Sequence, residues 1–269
     1  MTRTADRSQP CPPDYVDLAM RLADAAAAVV RRFFRTPVAV EDKPDQSPVT
    51  IADREAEAVM RRMISAEQPT HGILGEEWGP ERTDADWVWV LDPIDGTKAF
   101  ITGKPSFGTL IALLHQGRPV LGIIDQAILG ERWLGLAGRP TTLNGSPIRV
   151  RPCPDLALAA LYATAPEMFP AAELGRWEDL RQRVKLPRYG ADCYAYGLLA
   201  AGFVDLVVEA SLQPYDYLAL VPVIEGAGGI TSDWQGRPLG LGNEGGGHAI
   251  AAGDARLHRA ALAILNGEV

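Results

Sequence analysis

Two aspartates three residues apart give the sequence its clearest chemical signal. Asp92 and Asp95 lie in the segment 89–97, in which an apolar stretch runs directly into both carboxylates. If that stretch is a strand, the turn at its end can direct both side chains and the carbonyl of Ile94 towards one cation. Oxygen-only ligand sets select hard ions such as Mg²⁺. The spacing therefore predicts a metal site at the end of a strand.

The two residues that follow Asp95 suit an anion. Gly96 and Thr97 precede a predicted short helix that extends to about Gly103. Backbone amides at a helix N-terminus attract negative charge, so a phosphate bound there would lie beside the cation. Asp-Pro and Asp-Gly are also common turn dipeptides, and the spacing alone leaves a purely structural turn as the alternative.

Three motifs, in order along the chain, resemble the inositol monophosphatase superfamily of Mg²⁺-dependent, lithium-sensitive phosphatases. They are Gly75-Glu76-Glu77, Asp92-Pro93-Ile94-Asp95-Gly96-Thr97, and Tyr215-Asp216 followed by Glu225-Gly226-Ala227-Gly228-Gly229. A weaker fourth motif, residues 48–53, lies where the second helix of the family begins. Together the motifs span about residues 43–229, which is most of the chain, and the ordered set is far more specific than any one motif.

The resemblance implies a ligand set for several metal ions. Glu76, Asp92 and the carbonyl of Ile94 would hold a first ion. Asp92, Asp95 and Asp216 would hold a second, and Glu76 would help to hold a third. The expected cofactor is therefore Mg²⁺, two to three ions per active site. Paired cations can stabilise both the entering and the leaving oxygen of a phosphoryl transfer.

The resemblance also implies how the reaction would begin. Thr97 and Glu76 would orient the attacking water, with Asp53 hydrogen-bonded to Thr97, while Gly96 and Thr97 would bind the phosphate. Phosphoryl transfer to water leaves little covalent work for protein side chains, so no Cys or Ser nucleophile is required.

The second half of the chain resembles the histidinol-phosphatase branch of the superfamily. The likeness lies in residues 97–105, 122–126, 130–133 and 189–196. Asp192 and Glu209 fall where family members contact the non-phosphate part of the substrate. Two carboxylates suit an amine and an imidazole better than a neutral polyol, because charge-assisted hydrogen bonds are the stronger kind. As a structural alternative, Asp192 caps a helix that begins at Cys193.

The resemblance thus implies hydrolysis of L-histidinol phosphate to L-histidinol and phosphate, in histidine biosynthesis. The alternatives within the superfamily are an inositol monophosphatase, a nucleotide 3′-phosphatase and a sugar bisphosphatase. Typical inositol-specific members have Trp-Asp where this chain has Tyr215-Asp216, which weakens the inositol alternative. A regulatory, protein-binding scaffold is the non-enzymatic alternative, and the intact acidic set argues against it.

Hydrophobic periodicity predicts the elements that must position these residues. A helix capped by Asp14 is expected to extend to about Phe34, and a second, with Thr50 and Asp53 spaced as in a capping box, to about Ala66. The two helices should pack side by side. Short apolar runs then predict a meander of strands at residues 87–91, 107–114, 120–125 and 132–136.

The second half returns to alternating helices and strands. Strands are expected at 158–162, 204–208, about Ile230 and 248–251, and helices at 171–184, 193–201, from about Tyr215, and after a cap at Asp254. We therefore expect a flexible N-terminal tail (1–13), an α+β metal-binding half (14–147) and an α/β substrate-binding half (148–269) in one compact unit. The resemblance implies a layered α-β-α-β-α sandwich.

Composition narrows the class of protein and its partners. The 269 residues carry a net charge of −8 and are 47 % hydrophobic, which suits a globular chain and argues against a nucleic-acid groove. No apolar run approaches the ~20 residues of a membrane span. The three cysteines are far apart, which favours reduced thiols. We expect a cytoplasmic enzyme acting on a small phosphomonoester, and the resemblance implies a homodimer.

Overall fold

The computed structural model describes residues 11–42, 48–242 and 247–268. Within these residues the α-helices are α1 (Pro13–Phe33), α2 (Ile51–Glu67), α3 (Thr97–Ile101), α4 (Ala171–Arg183), α5 (Asp192–Ala200), α6 (Pro214–Tyr217), α7 (Leu220–Gly226) and α8 (Ala255–Leu265). The strands of the first half are β1 (Val40–Asp42), β2 (Pro48–Thr50), β3 (Gly72–Gly75), β4 (Gly79–Glu81), β5 (Trp87–Asp95), β6 (Gly108–His115), β7 (Arg118–Gln126), β8 (Glu131–Leu136), β9 (Thr142–Leu143) and β10 (Ser146–Pro147). Those of the second half are β11 (Ala160–Ala163), β12 (Leu186–Tyr189), β13 (Leu206–Glu209), β14 (Ile230–Ser232) and β15 (Ala249–Ala252).

Two large sheets alternate with three layers of helices. An eight-stranded sheet has the order β10-β9-β8-β7-β6-β5-β3-β4, and a five-stranded sheet has the order β12-β11-β13-β15-β14. One apolar core joins α1 and α2 to the first sheet, a second lies between the sheets around α5 and α7, and a third joins the second sheet to α4 and α8. The predicted α-β-α-β-α sandwich is confirmed.

The first two helices form as their sequences predict, except at the start of α1. Asp14 does not cap α1, because the cap position is Pro12 and the helix begins at Pro13, where proline's fixed φ suits the first turn. Asp14 instead lies in that first turn, where its charge favours the helix dipole. In α2 the capping box is present, with the Asp53 carboxylate accepting from the Thr50 amide at 2.8 Å.

The predicted meander is confirmed, and it is longer than expected. Strands β5 to β10 follow one another as antiparallel neighbours, and among the described strands of the eight-stranded sheet only β3 and β5 pair in parallel. The sheets change between β10 and β11, close to the predicted boundary at residue 148. Of the predicted N-terminal tail, residues 1–10 lie outside the described residues, and Cys11 is already buried.

The described helices include none with the length and apolar character needed to cross a membrane. Cys11, Cys153 and Cys193 are buried free thiols, as the sequence predicts.

Candidate functional site

The parallel pairing of β3 with β5 brings two predicted metal ligands together. Gly75 is opposite Leu91, so Glu76 and Asp92 follow at adjacent carboxyl ends of the two strands. The Glu76 amide donates to the Leu91 carbonyl at 3.2 Å, which fixes this register one residue further. The carboxyl groups of Glu76 and Asp92 lie within hydrogen-bonding reach of each other.

An irregularity in β5 places Asp92 and Asp95 at one site. Residues three apart on a regular strand point to opposite faces of the sheet. Here the pairing of β5 with β6 shifts register between the two aspartates, as it does at a β-bulge. Asp92 is buried and accepts a hydrogen bond from the Ile94 amide at 3.0 Å.

Asp216 reaches the same site from a different part of the chain. It lies on the one-turn helix α6, which has Pro214 at its start, and its Oδ2 accepts from the Gln213 amide at 2.7 Å. Carboxylate oxygens of Asp92, Asp95 and Asp216 all lie within 4.8 Å of one another. With Glu76 they form a group that we call the acidic cluster.

The electrostatics of the acidic cluster fit a bound cation. Burial raises the pKa values of Asp92 and Asp95 well above their usual range, and neighbouring carboxylates raise them further. Burial, with the charge of Glu76, raises the pKa of Asp216 to about 7 despite the bond from Gln213. Because carboxylates this close repel one another when ionised, a divalent cation with oxygen ligands is the species that best stabilises them together.

Thr97 lies at the edge of the acidic cluster. Its hydroxyl is 3.2 Å from the Ile94 carbonyl and 3.4 Å from Oδ1 of Asp53. Asp53 is fully buried, and burial raises its pKa, while the hydrogen bonds from Thr50 lower it. The side chain that completes the α2 capping box therefore also faces the predicted water-orienting residue.

The second half of the chain contacts the end of β5 directly at the start of α5. Asp192 does not cap this helix; the cap position is Ala191, whose side chain cannot accept a hydrogen bond. Instead Oδ2 of Asp95 accepts from the Cys193 amide at 2.6 Å. A metal-ligand candidate thus satisfies one of the orphan amides at the start of a helix 98 residues further along the chain.

Asp192 lies against the predicted phosphate site. Its backbone has φ 48°, a left-handed conformation that Asp tolerates better than most residues. Gly96 has φ 87°, and a Cβ there would lie 2.8 Å from the Asp192 carboxyl carbon, so glycine is required on both counts. Burial raises the pKa of Asp192 to about 6, while the positive charges of Lys104 and Lys98 and a bond from Ser106 lower it.

Glu209 is close to the acidic cluster but is already engaged by the protein. It is 4 % exposed; Oε1 accepts from the amide and hydroxyl of Thr164 at 2.9 and 2.6 Å, and Oε2 accepts from the Tyr196 hydroxyl at 2.9 Å. Burial raises its pKa to about 7, although these hydrogen bonds lower it.

One buried carboxylate beside the site has no counterpart among the predicted residues. Glu57 on α2 accepts hydrogen bonds from the amides of Glu77 and Trp78, directly after Glu76. It belongs to no motif that the sequence displays. The available signal was its four-residue spacing from Asp53, which places both carboxylates on one face of a helix.

Comparison with known proteins identifies the family of this chain. The profile of the inositol monophosphatase family matches residues 13–267. The chloroplastic bifunctional phosphatase IMPL2 of Arabidopsis thaliana is 54 % identical over 251 residues, covering 91 % of this chain and 72 % of that protein. A histidinol-phosphatase of Chlorobaculum parvum is 35 % identical over 95 % of this chain and 98 % of its own.

Comparison with solved structures indicates the same family. The structure of an inositol monophosphatase from Zymomonas mobilis superposes with a TM-score of 0.86 and 50 % sequence identity, over 94 % of this chain and 98 % of that one. The family is one of metal-dependent phosphatases that act on small phosphate substrates, and the acidic cluster could bind a metal ion. The chain described here belongs to the inositol monophosphatase family.

Proposed function

We propose that this protein hydrolyses L-histidinol phosphate to L-histidinol and phosphate, with two to three Mg²⁺ ions in its active site. Hydrolysis of a phosphomonoester follows from the family. The choice of substrate is supported above all by one observation: a carboxylate, Asp192, touches the glycine of the predicted phosphate cradle. The 35 % identity to a protein named as a histidinol-phosphatase is consistent with that choice.

Five residues supply the oxygen atoms that would hold the metal. They are Glu76, Asp92, Ile94 through its carbonyl, Asp95 and Asp216. When bound, Mg²⁺ neutralises charge on the transferring phosphoryl group and lowers the pKa of a coordinated water. The chain contributes rigid positions for these oxygens, because three of the carboxylates are fixed by backbone amides of Ile94, Cys193 and Gln213.

Thr97 and Glu76 would orient the attacking water. The Thr97 hydroxyl has one proton, and both the Ile94 carbonyl and Asp53 lie within reach to accept it. Its oxygen is then left with lone pairs that can accept a hydrogen bond from the water. The Glu76 carboxylate would accept the second hydrogen bond that the water donates. Both bonds direct the water oxygen towards phosphorus, which is the positioning that phosphoryl transfer requires.

Substrate selection would depend on the side chains around the phosphate site. The amides of Gly96 and Thr97 would bind the phosphate, and the adjacent Asp192 carboxylate would receive the substrate's ammonium group. A neutral inositol ring offers Asp192 only hydroxyl groups, which form weaker bonds to a carboxylate. Glu209, with both oxygens engaged by the protein, would act on a cationic substrate through its negative charge.

Parallel kinetics on L-histidinol phosphate and inositol 1-phosphate, each with Mg²⁺, test the proposal. We expect kcat/KM to favour histidinol phosphate at least about tenfold, or ~1.4 kcal/mol of transition-state binding. A nucleotide 3′-phosphate and a sugar bisphosphate complete the panel. A higher kcat/KM for inositol phosphate would refute the substrate assignment and leave the reaction class intact, whereas no Mg²⁺-dependent turnover of any ester would favour the protein-binding scaffold.

A further inference from the structure

Glu57 is a fully buried carboxylate whose hydrogen bonds all go to one segment and one neighbouring arginine. Its Oε2 accepts from the Glu77 amide at 2.7 Å. Its Oε1 accepts from the Trp78 amide at 3.2 Å and from Nε of Arg61 at 2.7 Å. Burying an ionised carboxylate is costly unless it is paired and hydrogen-bonded, so these contacts form an interdependent set.

The residue at position 75 is small because Glu57 occupies the space beside it. A Cβ on Gly75 would lie 1.9 Å from Oε1 of Glu57 and 2.8 Å from a terminal nitrogen of Arg61. The backbone of Gly75 is outside the left-handed region, so only the missing side chain matters here. Glu57 therefore lies across the start of the 75–78 segment as well as bonding to its end, and Glu76 lies between these two contacts.

The position of Glu57 on α2 also links these contacts to the part of the site around Thr97. Asp53, one turn earlier on the helix, faces the hydroxyl of Thr97. Residues four apart lie on one face of a helix, so α2 presents two carboxylates in a row. One contacts the residue that is proposed to orient water, and the other holds the segment that carries Glu76. The helix thus sets the spacing between these two parts of the site.

We propose that Glu57 is a positioning residue that fixes the 75–78 segment, and with it the carboxylate of Glu76, for metal binding. Glu57 itself touches neither metal nor substrate; it acts through the Glu77 and Trp78 amides. Partners behind a metal ligand typically contribute 10–100-fold to metal affinity or activity. The proposal rests on the proposed function only in assigning Glu76 to the metal.

The test combines hydrogen exchange without metal and calorimetric titration with Mg²⁺ alone. For Glu57→Ala we expect loss of protection confined to the 75–78 segment and at least about tenfold weaker Mg²⁺ binding. Glu57→Gln keeps the shape and one acceptor oxygen and should show a smaller loss. Glu67→Gln, which removes a carboxylate paired with Arg21 on the exposed side of the same helix, is the matched control and should leave both measurements unchanged.

A double mutant separates positioning from a general packing role. Gly75→Ala should displace Glu57 and reproduce the Glu57→Ala losses. Glu57→Ala empties the space that the new methyl needs, and the flexible end of Arg61 can shift, so the double variant should be no worse than Glu57→Ala alone.

Unchanged Mg²⁺ affinity in folded Glu57→Ala, additive losses in the double variant, or protection lost evenly over the chain would each overturn the proposal. Neither measurement uses a substrate. A failure of the histidinol phosphate assignment therefore leaves this test standing.

Discussion

The acidic residues on the metal side of the site and those on the substrate side differ in the groups that surround them. Burial raises the pKa values of Asp92, Asp95 and Asp216, and the negative charges of nearby carboxylates raise them further. Asp192 has Lys104 nearby, and Glu209 accepts three hydrogen bonds from the protein. Carboxylates surround the first group, whereas the second is partly compensated, since burial still raises the pKa of Asp192 to about 6 and that of Glu209 to about 7. We therefore expect the loss of metal binding to lower activity far more than the loss of a contact to the substrate.

The largest effect should come from removing one charge of the acidic cluster. We expect Asp95→Asn to lower kcat at least about 10²-fold, or ~2.7 kcal/mol, because the remaining oxygens hold the metal poorly. The same change should raise the melting temperature of the metal-free protein by a few degrees, since an Asn oxygen can still accept from Cys193 while the repulsion falls. Asp84→Asn, an exposed acid, is the control. Near-normal turnover would contradict the metal assignment.

The pH dependence of the metal-free protein should reveal the same imbalance. Asp216 has a pKa of about 7 in the fold and an ordinary value of 3.8, so it binds protons more tightly when folded. Its contribution to stability is fully present below about pH 3.8 and is lost as the pH rises through about 7.

With chelator present, we expect the melting temperature to fall by a few degrees between pH 5.5 and pH 8, and to fall less in Asp216→Asn. Saturating Mg²⁺ should restore stability most at the alkaline end, where the carboxylates are ionised. Identical pH profiles for the two proteins, measured by calorimetry, would show that Asp216 is not under this electrostatic strain.

The smallest effect on the kinetics should come from substitutions on the substrate side of the site. We expect Asp192→Asn to raise KM for L-histidinol phosphate about tenfold, while kcat/KM for inositol 1-phosphate changes less than about threefold. Glu209→Gln is the matched comparison, because its oxygens hold Thr164 and Tyr196 and its effect on KM should be weaker. A larger KM change for Glu209→Gln than for Asp192→Asn would reverse these roles.

Local signals predicted much of the fold. Periodicity located α1, α2 and the meander, and the capping residues Thr50 and Asp254 fall where the sequence places them. Several short strands were not predicted, and β3 shows the physical reason. Strand β3 has four residues with glycine at both ends, and it exists because β5 pairs with it. The helix predicted from about Tyr215 forms as two helices, α6 and α7. Helix α7 contains Pro222 and is apolar on nearly every side, so no amphipathic period could predict its bounds.

The site residues also divide into those that local sequence signals predict and those that depend on how distant segments pack. Asp92 and Asp95 are three residues apart in sequence, so their spacing predicts a metal site, although only the resemblance favours that site over a structural turn. Asp216 could be assigned only by resemblance, because its proximity depends on how α6 packs between the sheets. Glu57 escaped notice because a buried glutamate in a helix looks, in sequence, like any solvated one.

The bond from the Cys193 amide to Asp95 limits how this active site can change over evolution. Because the donor belongs to the backbone, the bond excludes proline at position 193. The left-handed φ of 48° at position 192 favours Asp, Asn or Gly there, and the charge of Asp192 raises the pKa of Asp95 more than any other neighbouring charge does. A substitution at position 192 that alters contacts to the substrate therefore also alters the electrostatics of a predicted metal ligand.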